Sequence, residues 1–261
     1  MMPALWVSKT GLAAQDMALT TIANNLANVS TVGFKRDRPD FQDLLYQIKR
    51  QPGGQNTTNS QLPSGLQLGT GVRIVGTTKQ FTQGTLQNTN QPLDMAVNGK
   101  GFFQVLMPDG SISYTRDGQF QLDSNGNVVT SEGYPLQPAI TLPQNTTSVT
   151  IGKDGTVSAV TTDAANPQQL GQITLTNFVN PQGLEAIGNN LFKETAASGA
   201  PQEGQAGLNG LGTIEQGMVE TSNVSVVDEL VNMITTQRAY EMNSKVVSAS
   251  DQMLQYITQN A

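Results

Sequence analysis

The two ends of this chain carry the same seven-residue repeat of apolar side chains. Seven residues are close to two turns of α-helix, so each repeat forms one apolar stripe along a helix. Little apolar sequence lies beside either stripe, and we therefore predict that the helices pair with each other or with other copies, which favours assembly over catalysis. The stripe residues are Leu5, Leu12, Leu19, Ile22, Leu26 and Val29 at the N-terminal end and Val226, Leu230, Met233, Tyr240, Val247 and Leu254 at the C-terminal end.

Local signals set the limits of the two helices. Pro3 suits a first helical turn and the apolar pattern stops before Gly33, so we predict a helix over residues 3–30. Ser225 and Asp228 form a capping box ahead of the second apolar run. Within one molecule, neither stripe can be covered except by the other. We therefore expect both terminal segments to be largely disordered in dilute monomer and helical after assembly.

The middle of the chain carries strand and turn signals. Apolar and aromatic runs alternate with turns at residues 108–110, 125–126 and 153–155. Closely spaced turns are typical of a small antiparallel sandwich or barrel. Residues 46–70 differ in character, because the polar run 51–61 has almost nothing to bury. We predict that this part forms an exposed loop or an extended hairpin.

These elements define a mixed fold class. We predict long N- and C-terminal α-helices that pair as a coiled coil, a central antiparallel β domain of sandwich or barrel type, and an extended β-hairpin insert. The helical domain comprises residues 1–33 with 222–261. A connecting segment that carries the hairpin covers residues 34–70, and the β domain covers residues 71–221.

The composition argues against most catalytic functions. The chain of 261 residues has no cysteine and no histidine, which excludes disulfides and thiolate chemistry and removes the commonest general base. Its net charge of -6 argues against a phosphate-binding face. No run approaches the roughly 18 apolar residues of a membrane span, and no signal-peptide core is evident. A cytosolic protein and one secreted without a cleaved peptide would share this pattern.

Three residue patterns resemble chemical motifs, and each fits a turn better. Lys100 and Lys153 follow glycines as in phosphate loops, but neither is followed by Ser or Thr. Residues 121–132 have calcium-loop spacing, but Gln121 stands where the first Asp belongs. We therefore predict no catalytic, cofactor-binding or metal-binding residues. The carboxylates considered for glycoside cleavage, most of them beside turn glycines or proline-rich loops, are Asp94, Asp109, Asp117, Asp123 and Glu132.

Several segments resemble the flagellar rod and hook protein family, and together they cover nearly the whole chain. Residues 24–35 (NNLANVSTVGFK) resemble the N-terminal signature of that family. The C-terminal signature is matched by residues 220–234 (ETSNVSVVDELVNMI) and 237–241 (QRAYE). The shared β domain of the family is similar to residues 97–103 (VNGKGFF), 114–118 (YTRDG) and 128–130 (VVT).

The resemblance implies a structural subunit of the flagellar drive shaft that polymerises helically with its own copies. It places the paired helices in an inner tube and the β domain outside. It also implies partners: proximal rod proteins, the hook protein, periplasmic and outer-membrane ring proteins, and the type III apparatus that exports the family without signal cleavage. Within the family, residues 46–71 resemble rod members and not the hook protein. The insert residues are Gln51, Pro52, Gly53, Gly54, Leu62, Pro63, Gly65, Leu66 and Leu68.

Two other classes of function remain open from the residues. A secreted β-domain adhesin or binding module with helical oligomerisation ends would show an exposed aromatic or charged patch on its β body, which the composition does not suggest. A wall-cleaving glycosidase would be detected by an activity assay on peptidoglycan.

Overall fold

Two structural units are built from non-contiguous parts of the chain. The computed structural model describes residues 2–53, 55–57, 60–61, 63–162 and 164–259. The helical unit comprises Met1–Leu26, Asp37–Thr78 and Ser225–Ala261, and the β unit comprises Ala27–Arg36 and Lys79–Val224. Long terminal helices and central antiparallel sheets confirm the predicted mixed fold class. The three-segment division, with boundaries after residues 33, 70 and 221, stays a prediction.

The helical unit contains the two long helices α1 (Met2–Ala27) and α2 (Val226–Gln259). The start of α2 confirms the predicted cap, because the Asp228 N–H donates to the Ser225 hydroxyl at 3.4 Å. α1 ends three residues before the predicted limit. There Thr31 donates from its amide and its hydroxyl to Asn28, at 3.2 and 3.1 Å, and this turn replaces the last helical turn. In the described part of the chain, no helix is long and apolar enough to cross a membrane.

A two-stranded antiparallel ribbon completes the helical unit and forms the predicted extended hairpin. β1 pairs with β6, β2 with β5 and β3 with β4. A ribbon of only two strands has no sheet face behind it, so it is marginally stable unless something packs against it. The strands are β1 (Asp37–Asp43), β2 (Tyr46–Arg50), β3 (Gln55–Thr57), β4 (Ser60–Gln61), β5 (Leu66–Gly69) and β6 (Val72–Lys79).

The β unit consists of short strands joined mostly by tight turns. Its strands are β7 (Leu86–Asn88), β8 (Met95–Asn98), β9 (Phe103–Leu106), β10 (Ile112–Thr115), β11 (Phe120–Leu122), β12 (Val128–Thr130), β13 (Leu136–Gln137), β14 (Thr146–Ile151), β15 (Thr156–Thr161), β16 (Ala164–Gln172), β17 (Thr174–Asn177), β18 (Glu185–Gly188), β19 (Leu191–Lys193), β20 (Gln202–Gln205), β21 (Thr213–Gln216) and β22 (Met218–Glu220). The main sheet has the order β13-β9-β10-β19-β18, and a second has the order β14-β15-β16. Strand pairs β7–β22, β8–β21, β11–β12 and β17–β20 complete the unit. The hairpins predicted around the three turns are confirmed as β9–β10, β11–β12 and β14–β15.

The β unit has its own hydrophobic core. Aliphatic side chains and two aromatic rings from most of its strands pack together and are almost fully buried. Beside them lies an aromatic cluster in which Phe102, Phe178 and Phe192 contact one another or Tyr114 edge-to-face, with ring centroids 4.8–6.1 Å apart. Because this core lies within one unit, substitutions in the terminal helices should leave it intact.

Candidate functional site

The candidate site is the surface of the helical unit, and its framework is the contact between α1 and α2. The Asn25 amide lies 3.3 Å from the Glu229 carboxylate. Further along the pair, a Cβ on Gly11 would lie 3.2 Å from the Asn243 amide nitrogen. These contacts are 14 residues apart on each helix (25 minus 11, and 243 minus 229), and the numbers run in opposite directions. The helices therefore pair antiparallel in a constant register.

The seam between these helices is made of small and polar residues. Gly11, Ala18 and Asn25 repeat every seven residues on α1, and on α2 the same step gives Glu229, Thr236, Asn243 and Ser250. The buried residues of the pair include Ser8, Ala14, Ala18, Thr21, Ile22, Asn25, Glu229 and Ser250. Small side chains let two helices approach closely. This second repeat lay outside the predicted assembly residues because its members are not large and apolar, although its seven-residue step is visible in the sequence.

The predicted apolar stripes border this seam. Of their members, Ile22 is buried, whereas Leu5, Leu12, Leu19, Leu26, Val29, Met233, Val247 and Leu254 are half-buried and Val226, Leu230 and Tyr240 are exposed. The helix pair within one molecule therefore leaves much of both stripes uncovered. The role of these residues in assembly stays a prediction.

α2 presents a long apolar surface to solvent. Each of its large apolar members is between 41% and 70% exposed, so about half of their surface remains open. Val226, Val227, Leu230, Val231 and Ile234 adjoin one another at helical spacing, and exposed apolar side chains grouped in this way mark a site of protein association. Covering the open half of one such side chain contributes about 0.7–1.5 kcal/mol, since full burial is worth about 1.5–3 kcal/mol. The α2 surface consists of Val226, Val227, Leu230, Val231, Ile234, Tyr240, Met242, Val246, Met253 and Tyr256.

The first part of the ribbon is fixed to α1 at two places. The Asn25 amide donates to the Asp37 carbonyl, and the Asp37 N–H donates back to Asn25 Oδ1, both at 2.9 Å. At the other end the Val72 N–H donates to Thr10 Oγ1 at 3.3 Å. The two helix positions lie about 22 Å apart along α1, close to the length of β1. β1 and β6 therefore lie alongside α1, and β2 and β5 continue beyond Thr10.

The outer part of the ribbon is apolar on both faces and exposed. Every residue of β2 and β5 is exposed. Tyr46 and Ile48 share one face by strand alternation, and Leu66 and Leu68 share a face on β5. Because Leu68 pairs with Gln47, the leucines lie on the face opposite Tyr46 and Ile48. Two faces with apolar side chains cannot both be covered by a single flat surface.

The predicted insert residues lie on this outer ribbon. Gln51, Pro52 and Gly53 form an exposed turn after β2, and Pro63 is exposed. Leu66 and Leu68 are 54% and 45% exposed. Gly65 faces the opposite strand so closely that a Cβ would lie 2.5 Å from the Arg50 carbonyl oxygen, so only glycine fits there. Gly54 and Leu62 lie outside the described residues.

Two carboxylates of the β unit, Asp109 and Asp154, act as turn formers. Asp109 accepts hydrogen bonds from the Ser111 hydroxyl and amide at 2.6 and 2.9 Å, and these bonds lower the pKa of Asp109. Thr156 donates in the same way to Asp154 and lowers the pKa of that carboxyl. Among the described residues, no group of three or more acidic side chains is placed to hold a metal ion.

Comparison with known proteins agrees with this description. Residues 5–35 match the family described as "Flagella basal body rod protein", residues 96–159 match "Flagellar hook protein FlgE/F/G D1 domain", and residues 215–260 match "Flagellar basal body rod FlgEFG protein C-terminal".

Several relatives match along the whole chain and bear the same description, "Flagellar basal-body rod protein FlgG". The chain is 57% identical over 259 residues to that of Buchnera aphidicola subsp. Acyrthosiphon pisum, covering 99% of this chain and 100% of the relative. It is 48% identical to the Caulobacter vibrioides protein, with 99% of both chains covered. Identity to the Bacillus subtilis protein is 37%, with 98% of this chain and 97% of the relative covered.

Proposed function

Because the chain belongs to the FlgG family of flagellar basal-body rod proteins, and is therefore a non-enzymatic structural subunit of the distal rod, we propose that it works by helical polymerisation into a rigid shaft that transmits motor torque to the hook. The observation that carries this proposal is the uncovered apolar surface of α2. A contact between unlike surfaces of successive copies does not close on itself and generates an open helical filament. The α2 surface supplies one partner in that contact.

The helix pair suits the inner wall of such a shaft. Its seam is filled by small and polar residues and by Ile22, so most of the large apolar residues remain exposed and can pack on neighbouring copies. Ten side chains that each bury their open half contribute about 7–15 kcal/mol per subunit before the entropy of association is subtracted. In this arrangement the predicted stripe residues, including Leu12, Leu19 and Leu230, form contacts between copies.

The outer ribbon stiffens the shaft by inserting between two neighbouring copies. Its exposed apolar residues lie on both faces, with Tyr46 and Ile48 on one and Leu66 and Leu68 on the other. A ribbon covered on both faces links two neighbours at once and opposes their sliding. The polar turn at residues 51–53 adds amide hydrogen bonds at the end of the ribbon.

The protein assembles with rod and hook proteins as a component of the basal-body rod. More specifically, proximal rod proteins form the lower end of the polymer and the hook protein continues its upper end. The periplasmic and outer-membrane rings surround the β units. The type III apparatus delivers the chain to the growing end, which is compatible with the apolar surfaces remaining uncovered until assembly.

A face-by-face comparison of ribbon variants tests this function. We would compare three double variants. The first combines Tyr46→Ser and Ile48→Ser, the second combines Leu66→Ser and Leu68→Ser, and the control combines Gln47→Ser and Gln67→Ser. All of these residues are exposed, so thermal unfolding of each monomer should match the parent. Either apolar pair change should give filaments that are more curved and more flexible, measured as persistence length by electron microscopy. Filaments of the control should be as straight as those of the parent.

Deletion of residues 50–62 removes the end of the ribbon and should soften the polymer in the same way. Straight, rigid filaments from the deletion and from both apolar pairs would remove the role of the ribbon. Failure of the purified parent protein to polymerise on rod fragments would instead remove the polymerisation proposal.

A further inference from the structure

Three charged side chains are buried together inside the β unit. Lys35 is 1% exposed, Arg116 is 4% exposed and Glu220 is 0% exposed. The Lys35 ammonium lies 2.6 Å from Glu220 Oε1, and the Arg116 guanidinium lies 3.2 Å from Oε2. Each of the three residues lies in a different sequence segment that resembles the flagellar rod and hook family: Lys35 in residues 24–35, Arg116 in residues 114–118 and Glu220 in residues 220–234. We call these three residues the charged cluster.

Apart from Arg116 Nε, the polar side-chain atoms of the cluster are hydrogen-bonded, several of them to backbone groups. Lys35 also donates to the Thr82 carbonyl at 2.8 Å, and the Gly84 N–H donates to Glu220 Oε1 at 2.8 Å. The Arg116 guanidinium donates to the Val97 and Gly99 carbonyls at 3.2 and 2.6 Å. Such bonds satisfy charges that would otherwise be costly to bury.

Burial lowers the pKa of the Lys35 ammonium and of the Arg116 guanidinium, and the Glu220 carboxylate opposes both shifts. The single carboxylate therefore holds two cations in place. Gly84 lies so close to the backbone that follows β22 that a Cβ on Gly84 would lie 1.9 Å from the Thr221 carbonyl oxygen. A larger residue at position 84 would therefore clash with the backbone at Thr221.

The charged cluster lies within the β unit, and two of its members, Lys35 and Glu220, come from segments that end at a boundary of that unit. The chain crosses after residues 26, 36, 78 and 224. Just inside the β unit, the Gly33 N–H donates to the Glu220 carbonyl and the Arg36 N–H to Asn223 Oδ1, both at 2.8 Å. The Asn223 amide donates to the Gln80 carbonyl at 2.7 Å. Three of the four crossings are thus tied together by one network.

We propose that the charged cluster is the mechanical anchor of the β unit, which holds the crossing segments against one another when torque is applied to the shaft. This inference rests on the proposed function. Hydrogen bonds and ion pairs are directional and oppose sliding of segments, whereas apolar packing is non-directional. A buried ion pair is also a poor device for stability alone, because apolar residues of similar volume often replace it without loss. The ion pairs of the cluster therefore resist sliding under load, which apolar residues in the same place would not do.

Three variants separate anchoring from stability. The first, Glu220→Gln, keeps the shape and removes the anion. The second combines Lys35→Met, Arg116→Met and Glu220→Leu to give an apolar cluster. The matched control is Glu215→Gln, which removes the same charge from a pair at the surface. Lys153 in that pair is 74% exposed, Glu215 is 21% exposed, and the two charges lie 3.0 Å apart. Each variant replaces the parent gene in a motile host, and a bead on the flagellum reports rotation against increasing viscous load.

The parent and Glu215→Gln should build rods and rotate at every load. The apolar triple variant should build rods that rotate at low load but fail as load increases. In purified monomer, Glu220→Gln should speed amide exchange at Gly33 and Gly84 by about a hundredfold or more while the main sheet stays protected.

Parental rotation of the triple variant at high load would overturn the inference, and so would uniform loss of protection throughout the β unit in Glu220→Gln. The exchange measurement uses purified monomer, so it still tests whether the cluster holds these segments together where a variant fails to assemble. Absence of rods with the parent chain itself would count against the proposed function instead.

Discussion

Replacing Ile234 with asparagine should weaken polymerisation strongly and leave the monomer almost unchanged. Ile234 lies on α2 and is 50% exposed. Losing the burial of its open half costs about 0.7–1.5 kcal/mol at the contact between copies. An asparagine amide buried there without a partner adds about 1–3 kcal/mol. The combined cost, about 2–4 kcal/mol, corresponds to a rise of about 30- to 1,000-fold in the monomer concentration needed for polymerisation.

The assay is seeded growth of purified protein, with soluble monomer measured after sedimentation at a series of total concentrations. Gln237→Asn is the matched control, because Gln237 is an exposed polar residue on the same helix. Its polymerisation threshold should equal that of the parent. Unfolding of the β unit should be the same in all three proteins. A parental threshold for Ile234→Asn would refute the assignment of this α2 surface to contacts between copies.

Two further predictions concern the free monomer. In dilute solution, amide protons of α1 and α2 should exchange rapidly while those of β8 and β21 exchange slowly, because the small, polar helix seam offers little apolar burial. Polymerisation should slow exchange in both helices. Strong protection of both helices in proven monomer would contradict this expectation. Burial, reinforced by Glu194 and Glu203, raises the pKa of Tyr114 to about 12. Between pH 10 and 12 only the unfolded state then loses this proton, so the free energy of unfolding falls as pH rises, by up to about 3 kcal/mol. Tyr114→Phe should remove that part of the fall in chemical denaturation, and identical pH profiles of the two proteins would disprove it.

Local signals explain how much of the fold is predictable. The cap at Ser225 and the hairpin turns at Asn125-Gly126 and Lys153-Asp-Gly155 depend on neighbouring residues, so the sequence displays them directly. After α1, a turn from Asn28 to Thr31 replaces the last predicted helical turn, whereas the apolar pattern that continues to Val29 extends the predicted helix too far.

The helix seam and the charged cluster depend on partners distant in sequence. Either of two neighbouring stripes on α1 has the period of a helix contact, and the position of α2 decides which one is buried. Glu220 lies 185 residues from Lys35 and 104 from Arg116, so no spacing rule connects them. The exposed apolar residues of the ribbon are also unpredictable in detail, because the β-bulge between Ile48 and Arg50 shifts their pairing.

The antiparallel register of the helix pair has a practical consequence for protein engineering. Extending the equal spacing of the Gly11–Asn243 and Asn25–Glu229 contacts places Met2 beside Gln252, and α2 continues to Gln259, about 10 Å further. Met2 and Gln259 therefore lie at the same end of the helix pair. In the proposed shaft, a fluorescent fusion at either end would lie beside the helix contacts between copies, whereas the exposed turn at Gly110 offers a fusion point on the β unit. The same proximity allows circular permutation, in which a short flexible linker joins the old ends and new ends open at that turn.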